Sequence, residues 1–105
     1  MTDDEWRQHV EGWRRLLAEL EAEGWQATLT SPAAPVQLEG RLPEGERFYF
    51  RARHAHVLLS VGGDDPADVG AWEGEVPFEG ASYLAAEDGA PVIRLLLARY
   101  RADKQ

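Results

Sequence analysis

The chain has 105 residues, 11 basic and 19 acidic, a net charge of −8 and no cysteine. That length suits one domain, residues 1–105, built on one core; the missing thiols exclude disulfides, thiolate nucleophiles, iron–sulfur clusters and cysteine-type zinc sites. The acidic balance repels nucleic-acid phosphate and anionic membrane, and an acidic start at Asp3-Asp4-Glu5 with no long apolar run leads us to expect a cytoplasmic protein without a membrane anchor.

Thr2-Asp3-Asp4-Glu5 has the spacing of a capping box, in which the Thr hydroxyl and the Glu carboxylate each satisfy a backbone N–H. Trp6, Val10, Trp13, Leu17 and Leu20 then recur at helical spacing, and Leu16 widens the stripe. This predicts an amphipathic helix to about Glu23, ended by Gly24 in a left-handed cap. Both Trp6 and Trp13 are expected to fill the core, and Gly12 to mark the close approach of a neighbouring element.

Two alternating runs follow, Trp25, Ala27 and Leu29, then Val36, Leu38 and Leu42, separated by Ser31-Pro32-Ala33-Ala34-Pro35. Pairing Leu29 with Leu38 keeps the apolar residues on one side. Pro43-Glu44-Gly45 fits a three-residue bulged hairpin loop and brings Gly40 beside Phe48. A two-residue turn at His54-Ala55 then sets Ala52 against Val57, Phe50 against Leu59 and Phe48 against Val61, with Arg53/His56, Arg51/Leu58 and Tyr49/Ser60 on the other face. Three matched apolar pairs in succession make this the firmest register in the chain.

Gly62 to Gly70 reads as a loop by composition, and Trp72, Gly74, Val76 and Phe78 alternate with Glu73, Glu75 and Pro77 as a fifth strand. Pro77 suits an edge strand or a strand's last residue. A short helical turn is expected within Ser82–Glu87, then a break at Gly89-Ala90-Pro91. Pro91 in a first turn opens a closing helix carrying Val92, Ile93, Leu96, Leu97 and Tyr100, with Arg99, Arg101 and Lys104 near its C-terminus.

The expected fold is therefore α+β: an N-terminal helix, a five-stranded antiparallel meander and a C-terminal helix, with both helices on one sheet face in two layers. The other face is left to water. It should display Thr28, Thr30, Gln37, Glu39, Arg41, Tyr49, Arg51, Arg53, His56, Leu58, Glu73 and Glu75.

No residue pattern amounts to a catalytic or cofactor signature. His54-Ala55-His56 is the tightest pair of potential metal ligands, but the turn splays the two apart and no third ligand stands at a suitable spacing. Asp64-Asp65-Pro66-Ala67-Asp68 lacks the central Gly and distal Glu of a calcium loop, and Gly62-Gly63 lacks the Lys-Ser/Thr of a phosphate loop. Tyr49, Arg51, Arg53 and His56 form the best anion-binding cluster: guanidinium forks, a phenol and an imidazole on one rigid face. Between Asp64 and Asp88 there are eight acids and no Lys or Arg, so this stretch carries the whole net charge.

These residues lead us to expect a small non-enzymatic protein-binding module, in the manner of an immunity protein, inhibitor or chaperone, with no cofactor and no metal. Its partner would be a basic protein met by the Asp64–Asp88 stretch, including Glu73, Glu75 and Glu79, and by the polar sheet face. The alternative is a small-molecule or anion binder, or an enzyme, using Tyr49, Arg51, Arg53 and His56. Leu58 and an unpaired strand edge are the features that would support a homodimer.

Overall fold

A computed structural model describes residues 1–63 and 72–104. The elements are α1 (Asp3–Ala22), β1 (Gln26–Pro32), β2 (Val36–Arg41), β3 (Arg47–Arg53), β4 (His56–Val61), β5 (Trp72–Pro77), a 3-10 turn at Ala81–Tyr83 and α2 (Ala86–Lys104). The strands pair in chain order as an antiparallel meander. Both helices pack on its apolar face: Trp13 of α1 meets Phe50 at 6.1 Å between ring centroids, and Tyr100 of α2 meets Trp72 at 5.4 Å. This is the two-layer α+β arrangement expected from the sequence. No helix among the described residues is long and apolar enough to cross a membrane.

The capping box closes as its spacing predicts, with the Glu5 amide donating to the Thr2 hydroxyl at 3.1 Å and the Glu5 carboxylate accepting from the Thr2 amide. At the other end Gly24 has φ of +101°, and the amides of Gly24 and Trp25 donate to the carbonyls of Glu21 and Leu20. That pair of bonds is a Schellman motif, and it turns the chain directly into β1. Trp13, Leu16 and Leu20 are buried. Trp6 is not: it is 41% exposed and stacks on His9. The expectation of a core role fails here because His9 Nε2 already meets the carbonyl of Pro32, the last residue of β1, at 2.7 Å. One helical turn earlier, Trp6 overhangs the end of the sheet.

Every expected pair between β3 and β4 is present, from Phe48 opposite Val61 to Arg53 opposite His56. His54 turns the chain with φ of +55°, and the segment around the 3-10 turn holds the hairpin tip in place: the Ser82 hydroxyl accepts from the His54 amide, and the Ala81 amide donates to the His54 carbonyl. The Pro43-Glu44-Gly45 loop closes by bonds from the Leu42 amide to the Glu46 carbonyl and from the Gly45 amide to the Leu42 carbonyl, with Gly45 at φ of +103°. Gly40 does lie beside Phe48. Its glycine is required by a different neighbour, since a Cβ there would come within 1.7 Å of the Gln26 carbonyl oxygen.

The start of the last helix differs from the sequence reading. Gly89-Ala90-Pro91 is no break; α2 begins at Ala86, and Pro91 lies inside it. A proline there removes one bond to the carbonyl four residues earlier, which belongs to exposed Glu87, on the wet side where water replaces the lost donor. Contact with α1 secures this first turn: the Trp13 indole donates to the Leu84 carbonyl at 2.9 Å, and Gly89 leaves room for the same ring.

Farther along, α2 is tied down by its cations. Arg94 forms a two-pronged bond with Glu23 at 2.8 and 2.7 Å, Arg101 bonds Glu44, and Lys104 bonds Glu46 at 2.9 Å. Glu46 also accepts from the Tyr100 hydroxyl. Those bonds from Tyr100 and Lys104 hold the Glu46 carboxyl below its ordinary range, while burial and then the same carboxylate push the Tyr100 phenol up.

Candidate functional site

The sheet face turned away from the helices is open, and alternation places the predicted residues on it. Thr28, Thr30, Arg41, Arg53, His56, Glu73 and Glu75 are exposed, while Gln37, Glu39, Tyr49, Arg51 and Leu58 are half-buried between neighbours. Ser60, on the same face, is buried. Cross-strand order sets out two rows: Thr28, Glu39, Tyr49, Ser60 and Glu73 in one, and Gln37, Arg51, Leu58 and Glu75 in the next.

Tyr49 and Arg51 come together as the sequence suggests. The Arg51 guanidinium lies 6.0 Å from the centre of the Tyr49 ring, and the Tyr49 hydroxyl accepts from the Gln37 amide at 2.8 Å. Gln37 stands opposite Arg51, as cross-strand order predicts, and reaches Tyr49 as well. Arg53 and His56 face each other at the hairpin end, and His56 approaches Glu75 at 3.5 Å, so it turns toward β5 and away from the arginines. Neither Glu39 nor Glu75 lies within ion-pair distance of Arg51 or Arg53. The cluster is thus a shallow platform. A groove of about 590 Å³ reaches the β1–β2 side of this face, where Thr28, Thr30, Glu39 and Arg41 line it without Tyr49 or Arg51, and another of about 710 Å³ lies between Glu5, His9, Tyr83 and Ala86.

Some acids are paired and others are not; within α1, Asp4 and Glu11 approach Arg7 and Arg14. Glu23, Glu44 and Glu46 are consumed by cations of α2. Glu73 and Glu79 have no cation within ion-pair distance among the described residues, and Glu75 has only His56. Glu73 and Glu75 project from β5, which is an edge strand, and Glu79 follows in the turn beyond it. All three are exposed. Asp64, Asp65 and Asp68, and with them the calcium-loop candidate, lie outside the described residues. Among the described residues no group of three or more His, Asp or Glu side chains is placed to hold a metal ion.

The apolar alternation predicted for β5 is present, and one apolar residue of α2 stands outside the predicted helix stripe. Trp72, Val76 and Phe78 are half-buried along β5, and Leu95 of α2 is 46% exposed although the rest of that helix's large aliphatic residues are buried or half-buried. A leucine off the helical stripe is the sequence signal that pointed to it.

No protein-family model, no curated protein and no solved structure matches the chain, so the residues of this face and edge carry the functional argument.

Proposed function

We propose that the protein is a non-enzymatic protein-binding module that captures a basic protein partner through the acidic edge formed by Glu73, Glu75 and Glu79. One grouping carries this reading: three glutamates elsewhere are spent on cations of α2, whereas Glu73, Glu75 and Glu79 stand close together along one edge with no Lys or Arg within ion-pair distance among the described residues, Glu75 facing only a histidine. Unpaired carboxylates grouped along an edge, in a chain of net charge −8, speed encounter with a positive surface and repel a negative one. The part of the face beside that edge, around Tyr49 and Arg51, supports a protein rather than a small molecule, because it suits a broad partner and the groove on this face lies away from it at the β1–β2 side. Arg51 and Arg53 on that platform would orient the partner, taking its acidic or carbonyl groups while its basic patch covers β5.

The test is affinity capture from the native host's extract, with the wild-type chain and with Glu73→Lys/Glu75→Lys/Glu79→Lys as baits. The wild type should retain a basic protein that moderate salt elutes and the triple variant should not. Identical retention by both baits would contradict the assignment.

A second reading rests on Tyr49, Arg51 and Arg53: the two guanidiniums have no carboxylate partner among the described residues, as an anion site requires.

A further inference from the structure

We propose that β5 accepts an added strand: an extended segment of the partner, alternating basic and apolar residues, pairs with the outward backbone of Glu73 and Glu75. The proposal rests on the capture of a basic partner and adds the mode of contact.

The backbone geometry comes first. The Phe78 amide donates to the Ala55 carbonyl at 2.8 Å, and this pair continues the β4–β5 register beyond His56 and Pro77. Hydrogen-bonded and non-bonded pairs alternate along an antiparallel ladder. The backbones of Val76, Gly74 and Trp72 therefore face β4, and those of Glu73, Glu75 and Pro77 face outward. Pro77 then stands where its missing N–H interrupts nothing. The outer edge offers the N–H and carbonyl groups of Glu73 and Glu75 with no strand beside them among the described residues.

Side chains then specify the occupant. On the open face an incoming strand meets Glu73 and Glu75, which call for basic residues at alternate positions. On the other face it meets half-buried Trp72 and Val76, followed by Phe78. Val92, Leu95, Arg99 and Asp103 share one flank of α2, and Asp103 accepts from the Trp72 indole at 2.8 Å, which sets that flank over β5. Half-buried Val92 and exposed Leu95 are the apolar members of that flank, on which alternate aliphatic residues of the added strand would rest. A second copy of this chain fits poorly. Antiparallel pairing of β5 with itself brings the glutamates of both copies together on one face with no cation between them.

The experiment uses the full chain, labelled with nitrogen-15, and two short peptides of equal composition: one alternating lysine with valine, the other with lysines and valines in separate blocks. The alternating peptide should bind at least tenfold more tightly and slow amide exchange at Glu73 and Glu75 by tenfold or more, leaving the Val76 amide, already bonded to β4, unaltered. Glu75→Pro, which removes the outward donor with the charge, should weaken the alternating peptide more than Glu75→Gln, which removes the charge alone. Should Glu75→Pro fail to fold, the amide protection in the wild type decides. Equal binding of both peptides without protection overturns strand addition while leaving electrostatic capture intact, and no binding of either overturns it as well. Failure of the capture reading is read separately, from the charge-reversed bait.

Discussion

Gly89 of α2 lies so close to the Trp13 indole of α1 that a Cβ at position 89 would come within 2.6 Å of the ring carbon Cη2. The same indole donates to the Leu84 carbonyl. Through these two contacts one side chain fixes where the second helix starts and how near the helices approach.

Two glycines in helices should accordingly respond in opposite directions. At Gly12 a Cβ would meet only the Ala86 Cβ, at an ordinary 3.6 Å, so Gly12→Ala should gain up to about 1 kcal/mol of helix propensity. Gly89→Ala gains the same propensity but must displace a fully buried indole, and overpacking of that kind costs about 1–3 kcal/mol. Urea denaturation should rank Gly12→Ala above the wild type and Gly89→Ala at or below it. The reverse order would refute the packing described.

The two tryptophans of α1 should differ as sharply. Trp13→Phe leaves the buried Leu84 carbonyl without its donor, which alone costs about 1–3 kcal/mol. Trp6→Ala alters an overhanging, partly exposed ring and should shift stability by no more than about 0.5 kcal/mol. Comparable losses in thermal unfolding would show that Trp6 belongs to the core after all.

Acid should loosen the attachment of α2. Glu44 and Glu46 have folded-state values lowered by bonds to Arg101 and to Tyr100 and Lys104. A lowered carboxyl value contributes stability that is complete above the unfolded value and is lost as pH falls through the folded one. The urea midpoint should therefore be flat from neutrality to about pH 5 and decline below the ordinary glutamate value of 4.5. Glu46→Gln should flatten part of that decline. It should also let the Tyr100 phenol, now raised by burial and by Glu46, titrate nearer its ordinary value in the ultraviolet tyrosinate signal.

The strand register was readable because a period of two leaves little choice: moving the His54-Ala55 turn by one residue would send Phe48, Phe50 and Val61 to water. The helix stripe identified Trp13, Leu16 and Leu20 for the same reason. Two features depended on distant residues and left no local trace. Gly89 and Pro91 look like a helix break until Trp13 is placed against them, and Trp6 obeys the stripe but lies beyond the end of the sheet. At the candidate site, alternation put Tyr49, Arg51, Glu73 and Glu75 on the open face. It did not show that Glu44 and Glu46 are consumed by Arg101 and Lys104, ion pairs that join residues more than fifty positions apart.

The platform around Tyr49 makes its own prediction about small ligands. Calorimetric titration of the wild type with inorganic phosphate or citrate should give no saturable heat, because a flat sheet face does not exclude water from an anion. Tight binding that Arg51→Ala abolishes would transfer the argument to the second reading.

The most direct test is the association rate of the captured basic partner with the wild type and with Glu73→Lys/Glu75→Lys/Glu79→Lys, at low and high ionic strength. Steering by the acidic edge predicts that the triple variant associates at least about tenfold more slowly at low salt and that the gap narrows as salt screens it. Equal rates at low salt would contradict the account.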